Sequence, residues 1–579
     1  MKKVVLFCLL LTVTFGYADD SKISPELQGY NSTQPVQVIV QYTPGTQTNC
    51  SGILGLVGCV LGPILKILGQ LPLINGVVAL VDGNGIVNLS NQSNVVYISK
   101  DRSLTTMFDD APPAVNAGVA WQSNYIGTGV GVALIDSGVN SHPDFYTGVL
   151  PYPRIVYNQS FVSGTSSAGD QYGHGTHIAG LIAGDGLAST GPLYSKTFKG
   201  IAPGANIVNL RVLDANGGAT DSQVIAAIGQ AISLKSQYNI RVMNLSLGRA
   251  VYESYKQDPL CKAVEKAWQN GIVVVVAAGN NGRYLPTSGY GTVTSPGNDP
   301  YVITVGAMKT MGTPQRTDDL IASYSSKGPT ALDRVVKPDI VAPGNLLVST
   351  ETPGTTLENT EPSNLVPYSF YMNGGSSAPS SSYFTLSGTS MATGVVSGAV
   401  ADLLQARPGL TPDQVKARLM KTAYKTFPQS SSVYDPTTGN IYTSQYDIFT
   451  VGAGYLDIAA ALASTDLASG TAMSPIANYD KTSGNVYLTF NGSSVWGKSA
   501  MWGSTAVWGS SQFTGATSAM WGSSALWGSS AMWGSSAMWG SSGMWGSSAM
   551  WGSSAMWGSS AMWGSSAMWG SSVAGGEHN

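Results

Sequence analysis

The chain has 579 residues, of which only 11% are charged, less than half of the roughly 25% usual in globular proteins. Lys and Arg total 29 and Asp and Glu total 32, a net charge of −3, and this near balance excludes the basic excess on which nucleic-acid binding depends. A hydrophobic share of 43% excludes a wholly disordered chain, and at roughly 150 residues per domain the length predicts about four units.

The first segment reads as an export signal over residues 1–18. Lys2 and Lys3 precede the apolar stretch Val4–Val13, and Gly16-Tyr17-Ala18 supplies small residues for cleavage. The stretch is too short to span about 30 Å of hydrocarbon, and no apolar run of 18 residues follows it, so a secreted protein is expected. Cys8 lies inside the signal. Cys50 and Cys59 can close a short loop in an oxidising compartment, which leaves Cys261 unpaired.

Residues from about 33 to 100 form a first unit. Strands are predicted at Val36–Tyr42, Val77–Val81 and Val95–Ile98. Ile53–Leu68 carries apolar residues at helical spacing, although Gly55, Gly58, Gly62 and Pro63 make it a poor helix. Asp101–Pro113 is polar, ends in a Pro pair and is expected as an exposed linker. From about 114 to 464, short apolar runs at Val130–Ile135, Ile207–Val212, Val242–Leu245, Ile272–Ala277 and Val302–Val305 alternate with amphipathic stretches. Near-continuous Val and Ile predict strands buried on both faces, hence a parallel sheet covered by helices. Val224, Ile225, Ile228 and Ile232 mark one helix face. Thr411-Pro412-Asp413-Gln414 is a helix start with a capping Thr and Pro in the first turn. The fold class is α/β, with ligands expected at the carboxyl ends of strands.

Residues 466–493 are expected as a linker or short β segment. From 494 to 579 the chain is an array of Ala-Met-Trp-Gly-Ser-Ser hexapeptides that holds 12 of the 14 tryptophans, with no charge between Lys498 and Glu577. An even period suits extended structure, because each residue type stays on one face. Stacked β structure with indole ladders is one expectation. A flexible adhesive tail that binds a cell surface, polysaccharide or itself is the other.

Chemistry is confined by scarcity. There are four histidines, and no H-E-x-x-H string for a zinc peptidase. His174 and His177, with Asp144, make a weak case for metal, so no metal ligand is assigned. A charge-assisted nucleophile fits better. The run Val132–Ile135 leads into Asp136, which places a carboxylate at the end of a strand. His174 enters a helix of small residues, and Ser390 opens another, where the helix end favours negative charge. A serine hydroxyl needs a base, and the base needs an acid to fix its tautomer. Asp136, His174 and Ser390 supply all three.

Together, Asp136-Ser-Gly-Val, His174-Gly-Thr-His-Ile-Ala-Gly, Gly388-Thr-Ser-Met-Ala and Lys337-Pro-Asp-Ile-Val-Ala-Pro-Gly resemble the motifs of the subtilase family, the subtilisin-like serine peptidases. The resemblance covers roughly residues 114–464 and implies a subtilisin-like catalytic domain over 111–465. It also implies Asp136 as orienting acid, His174 as general base and acid, Ser390 as nucleophile, and Asn280 as oxyanion donor with the Ser390 N–H. His177 is implied to be structural. Ser246-Leu247-Gly248 and Gly217-Gly218 resemble the two rails that hold an extended peptide substrate. Ala277, Ala278 and Gly279 resemble the walls of the S1 pocket, with Thr294 and Asn281 at its floor and rim. All are uncharged, which predicts broad specificity with an uncharged P1 residue.

Residues 19–110 are then implied to be an inhibitor-type propeptide of antiparallel sheet and two helices, an intramolecular inhibitor until its linker is cut. Two departures stand out. Thr393-Gly394-Val395 replaces the Ser-Pro-His common after the nucleophile. No Asn-rich calcium loop is recognisable between Ala183 and Gly200, so calcium is left open and no cofactor is assigned. Residues 345–386 are expected as a long polar surface loop. The alternative function is a non-catalytic surface or adhesion protein that acts through its tail; the intact triad with Asn280 argues for a secreted serine endopeptidase.

Overall fold

The computed structural model describes residues 18–24, 27–43, 45, 64–71, 76–100, 111–147, 152–436, 438–480, 485–489 and 577. The signal segment, Cys50, Cys59, residues 101–110 and the tryptophan array lie outside the described residues. The chain divides into two compact units, Met1–Thr105 and Thr106–Asn579.

In the first unit four antiparallel strands follow the order Lys66–Leu71, Gly76–Val81, Val36–Tyr42, Val95–Lys100. Alternation places Val38, Val40, Val77, Ala79 and Val81 on a buried face with Ile86 and Leu89. The helical expectation fails at Lys66–Leu68, which belong to a strand paired with Gly76–Val81. Gly62 and Pro63 interrupt the helical pattern in the sequence just before it, and the ladder offers the backbone of the Lys66–Leu71 strand its partners. The helix Gly83–Ser90 was not expected from periodicity. Asp82 caps it, accepting from Gly85 N–H at 2.8 Å.

The second unit is built on one large sheet in the order 320–321, 303–309, 273–277, 240–245, 131–136, 206–211, 155–160, with 340–343 also paired to 303–309. All pairs are parallel except that of 320–321. The five expected strands are its centre, and every residue of Gly131–Asp136, Val273–Ala277 and Ile303–Lys309 is buried. Helices Asp221–Tyr238 and Pro259–Gln269 pack together against part of it. Helices His174–Ala183 and Thr389–Ala406 form a second layer over the strands. Val224 and Ile228 are buried as expected, while Ile225 and Ile232 are partly buried against the core.

Two loop expectations are corrected. Ala111–Pro113, assigned to the linker, lie in a short helical turn with Ala111 and Pro112 buried. The polar stretch 345–386 forms a three-stranded sheet of Leu347–Thr350, Pro379–Leu386 and Leu365–Pro367. Its small core joins Val348, Val366, Tyr371 and Tyr383 to Phe198, whose ring centroid is 4.7 Å from that of Tyr383. Tyrosines dispersed among serines hide this core from a reading by polarity. Ile476–Asp480 and Asn485–Thr489 pair as a hairpin.

The helix Pro412–Thr422 begins at the capping box read from sequence. Gln414 N–H donates to Thr411 Oγ1 at 3.2 Å, and Thr411 N–H to Gln414 Oε1 at 3.0 Å. Thr411→Ala removes one of these bonds and should cost about 1 kcal/mol. Calorimetry should read this as a fall of about 2 °C in melting temperature.

Candidate active site

In chain order the strands go from 131–136 to the edge strand 155–160, return to 206–211 between them, and then cross to 240–245 on the other side. The order therefore reverses beside Gly131–Asp136, and α/β sheets bind ligands beyond the carboxyl ends at such a point. Asp136 is the last residue of that strand, and Ser246 follows the neighbouring one.

Asp136 and His174 are buried, and His174 Nδ1 lies 2.7 Å from Asp136 Oδ1. A carboxylate can only accept, so the hydrogen sits on Nδ1 and Nε2 is left with its lone pair. Ser137 N–H holds the same Oδ1 at 2.8 Å. Among the described residues His174 Nε2 has no hydrogen-bond partner. His142 Nε2 and His177 Nδ1 are likewise without a partner among the described residues, and what sets His174 apart is its bond to Asp136.

Asp170 positions this histidine, and the sequence reading missed it. Gly173 supplies no side chain at the cap of the His174–Ala183 helix. Asp170 instead accepts from the N–H groups of Gly173 at 2.7 Å and Thr176 at 2.8 Å, and from Ser137 Oγ at 2.8 Å. Ser137 Oγ in turn accepts from Gly175 N–H. Burial pushes the Asp170 carboxyl up, against the pull of these bonds. An Asp a few residues before a helical His was the available signal.

Ser390 lies in the first turn of Thr389–Ala406. Its hydroxyl donates to Ser246 O at 3.1 Å, and Ser246 Oγ donates to Ser390 O at 2.9 Å. These reciprocal bonds tie the nucleophile candidate to the segment expected to hold substrate. Thr393, where relatives of the motif carry Ser, bonds Thr389 O through Oγ1 at 2.7 Å, and the helix runs on without a break through Gly394, where they carry Pro. Asn280 Oδ1 accepts from Thr389 N–H at 2.9 Å and Thr389 Oγ1 at 3.1 Å. The amide oxygen is thereby committed, and Nδ2 is the donor atom of this side chain.

The remaining expected contacts fall into two groups. Ala278 O accepts from Thr294 N–H at 3.1 Å. Gly279, at φ +104°, and Gly248 both abut Thr294: a Cβ on either would come within 3.0 Å of its side chain. Ser246, Leu247, Gly248, Ala277, Ala278, Gly279 and Thr294, none of them charged, thus share one region. Gly217 and Gly218 form a separate turn on Asp214, whose Oδ1 accepts from Gly218 N–H at 2.9 Å. That turn follows strand 206–211, on the other side of the Asp136 strand from Ser246.

No metal pair arises at His174 and His177. His177 Nε2 donates to the carbonyls of Leu347 and Phe384, each at 3.1 Å. Nor do the described residues fit calcium in the segment after the His174 helix. The carbonyls of Ala183 and Asp144 both accept from the buried Arg154 guanidinium, and the Asp144 carboxylate is taken by Ala188 N–H at 2.7 Å and the Tyr383 hydroxyl at 2.8 Å. An internal guanidinium gathers these oxygens and would repel a divalent cation. No group of three metal-ligating side chains occurs among the described residues. Cys261 is a buried free thiol.

The profile of the subtilase family (Peptidase_S8) matches residues 127–454. Serine protease AprX of Bacillus subtilis (strain 168) is 36% identical over 357 residues, 60% of this chain and 73% of that protein. Subtilisin E of the same organism is 31% identical over 424 residues, 72% of this chain and 92% of its own length. An alkaline protease of Shouchella clausii is 32% identical over 332 residues, 57% and 69% respectively.

Burial, with His174 nearby, lowers the His177 pKa from 6.5 to about 3. A depressed folded-state pKa gives stability that is complete above about 6.5 and is lost as pH falls towards 3, because the unfolded chain takes up the proton first. His177→Gln keeps a donor but removes that titration. The melting-temperature gap between wild type and variant should therefore narrow from pH 7.5 to pH 4.5; a gap independent of pH would contradict it.

Proposed function

This chain belongs to the subtilase family and is a serine-type endopeptidase, and from that premise we propose that Asp136, His174 and Ser390 are its catalytic triad. The observation that carries the assignment is the 2.7 Å bond from His174 to Asp136, which leaves Nε2 as the base beside a helix that bears Ser390. When substrate enters, the Ser390 hydroxyl leaves Ser246 O, gives its proton to His174 Nε2, and Oγ attacks the scissile carbonyl carbon. The oxyanion that forms takes hydrogen bonds from Asn280 Nδ2 and the Ser390 N–H. Collapse breaks the C–N bond, and the amine departs with the proton held by His174. Water, deprotonated by the same nitrogen, then releases the acyl group and restores Ser390.

An extended substrate is held between Ser246–Gly248 and Gly217–Gly218 by main-chain bonds that carry little sequence information. The uncharged S1 walls at Ala277, Ala278 and Gly279, with Thr294, favour an apolar P1 side chain, since burying a charge there without a partner is costly. Residues 19–110 act as propeptide and cleft inhibitor, and the signal over 1–18 directs export. The adhesion-protein alternative is not favoured.

Ser390→Ala should abolish peptide hydrolysis while the melting temperature is retained, and a phosphonate probe should label the Ser390 peptide of the wild type alone. Asn280→Ala should lower kcat by about 10²–10³, a magnitude known from subtilisin itself, with KM little changed. Across matched peptides, kcat/KM should be higher for Phe or Leu at P1 than for Lys or Asp; a preference for a charged P1 would refute the S1 assignment.

A further inference from the structure

Beyond the tryptophan array, Glu577 is buried in the second unit. Its Oε1 accepts from Ser323 N–H at 2.7 Å, from the Ser323 hydroxyl and from Arg283 Nη2 at 3.0 Å. Its Oε2 lies 3.2 Å from Lys309 Nζ. Asn345 clamps the backbone of the same residue, accepting from Glu577 N–H at 2.9 Å and donating to Glu577 O at 2.8 Å. Arg283, Lys309 and Asn345 stand at or beyond the carboxyl ends of three adjacent parallel strands, 273–277, 303–309 and 340–343.

We propose that Arg283, Lys309, Ser323 and Asn345 form a receptor for one acidic residue in a peptide chain, and that Glu577 occupies it, so that the tryptophan-rich segment is fastened at both ends to the unit that carries the active site. Three independent features support this. Lys309 is 2% exposed, and Glu577 is its only ion-pair partner among the described residues; a buried ammonium without a counter-ion is strongly disfavoured. The two Asn345 bonds recognise a peptide unit whatever its side chain, while the cations select a carboxylate. No other charge lies between Lys498 and Glu577, so a single residue of the array region matches the site and the register is unique. At the near end, Leu488 of the Asn485–Thr489 strand packs against the main core.

The receptor borders the active-site loops. Asn345 follows Gly344, whose carbonyl accepts from Gly388 N–H at 2.7 Å and from the Tyr324 hydroxyl at 2.9 Å. Arg283 is three residues beyond Asn280. Glu577 is thus anchored next to the segments that carry Asn280 and Ser390.

The test uses the full chain, its intact mass verified, with Glu577→Ala and the double variant Lys309→Met/Glu577→Ala. In Glu577→Ala the amide of Ser323 should exchange at least about tenfold faster, and the melting temperature should fall by several degrees. The double variant should recover part of that fall, because the buried lysine no longer lacks a partner. Ser323 exchange and melting temperature unchanged in Glu577→Ala would overturn the proposal. A double variant no more stable than Glu577→Ala would overturn the Lys309 pairing on which it rests. Neither readout involves peptide hydrolysis, so the result is separate from the triad assignment.

Discussion

One buried hydrogen bond organises the second unit: His174 Nδ1 to Asp136 Oδ1 at 2.7 Å. It joins the end of the central strand to the first turn of a helix, and it fixes which ring nitrogen carries hydrogen. Both groups are buried, and the bonds around them hold them in place. Asp170 takes the helix N–H groups that Gly173 cannot cap, and Ser137 relays between the strand end and the helix. Ser246 then couples the next strand to Ser390. The proposed triad gathers at the point where the strand order reverses, which is where α/β sheets bind ligands.

The chain has few charges and places many of them inside. Arg154 draws together carbonyls from separate segments. Asp339 is held by Lys337 at 2.6 Å and Lys416 at 3.1 Å; burial pushes its carboxyl up, but the two lysines win and bring it below its ordinary value. Burial lowers Lys416 to about 7 in turn. Lys309 and Glu577 repeat the pattern. Such pairs add little net stability over apolar packing, yet breaking one leaves a charge stranded. They act as connectors between distant parts of the chain, each specific for one partner.

Local chemistry made much of this legible. Runs such as Val273–Ala277 can only be strands buried on both faces, and the Thr411 capping box is a statement about four consecutive residues. The Asp136, His174 and Ser390 motifs carry their neighbours with them. Failures came where partners are remote. Lys66–Leu68 became a strand because Gly76–Val81 was there to pair with. The 345–386 segment became a sheet because Phe198 completed its aromatic core.

The amino-acid order by itself determined the fold class, the central strands and the three motifs, since hydrophobic period, caps and short motifs are properties of adjacent residues. Only tertiary structure decided that Asp170 caps the His174 helix, that Arg154 stands where a cation might have been sought, and that Glu577 meets Lys309. Those are encounters between groups far apart in the chain, and a buried charge acquires its meaning from the counter-charge that folding brings to it.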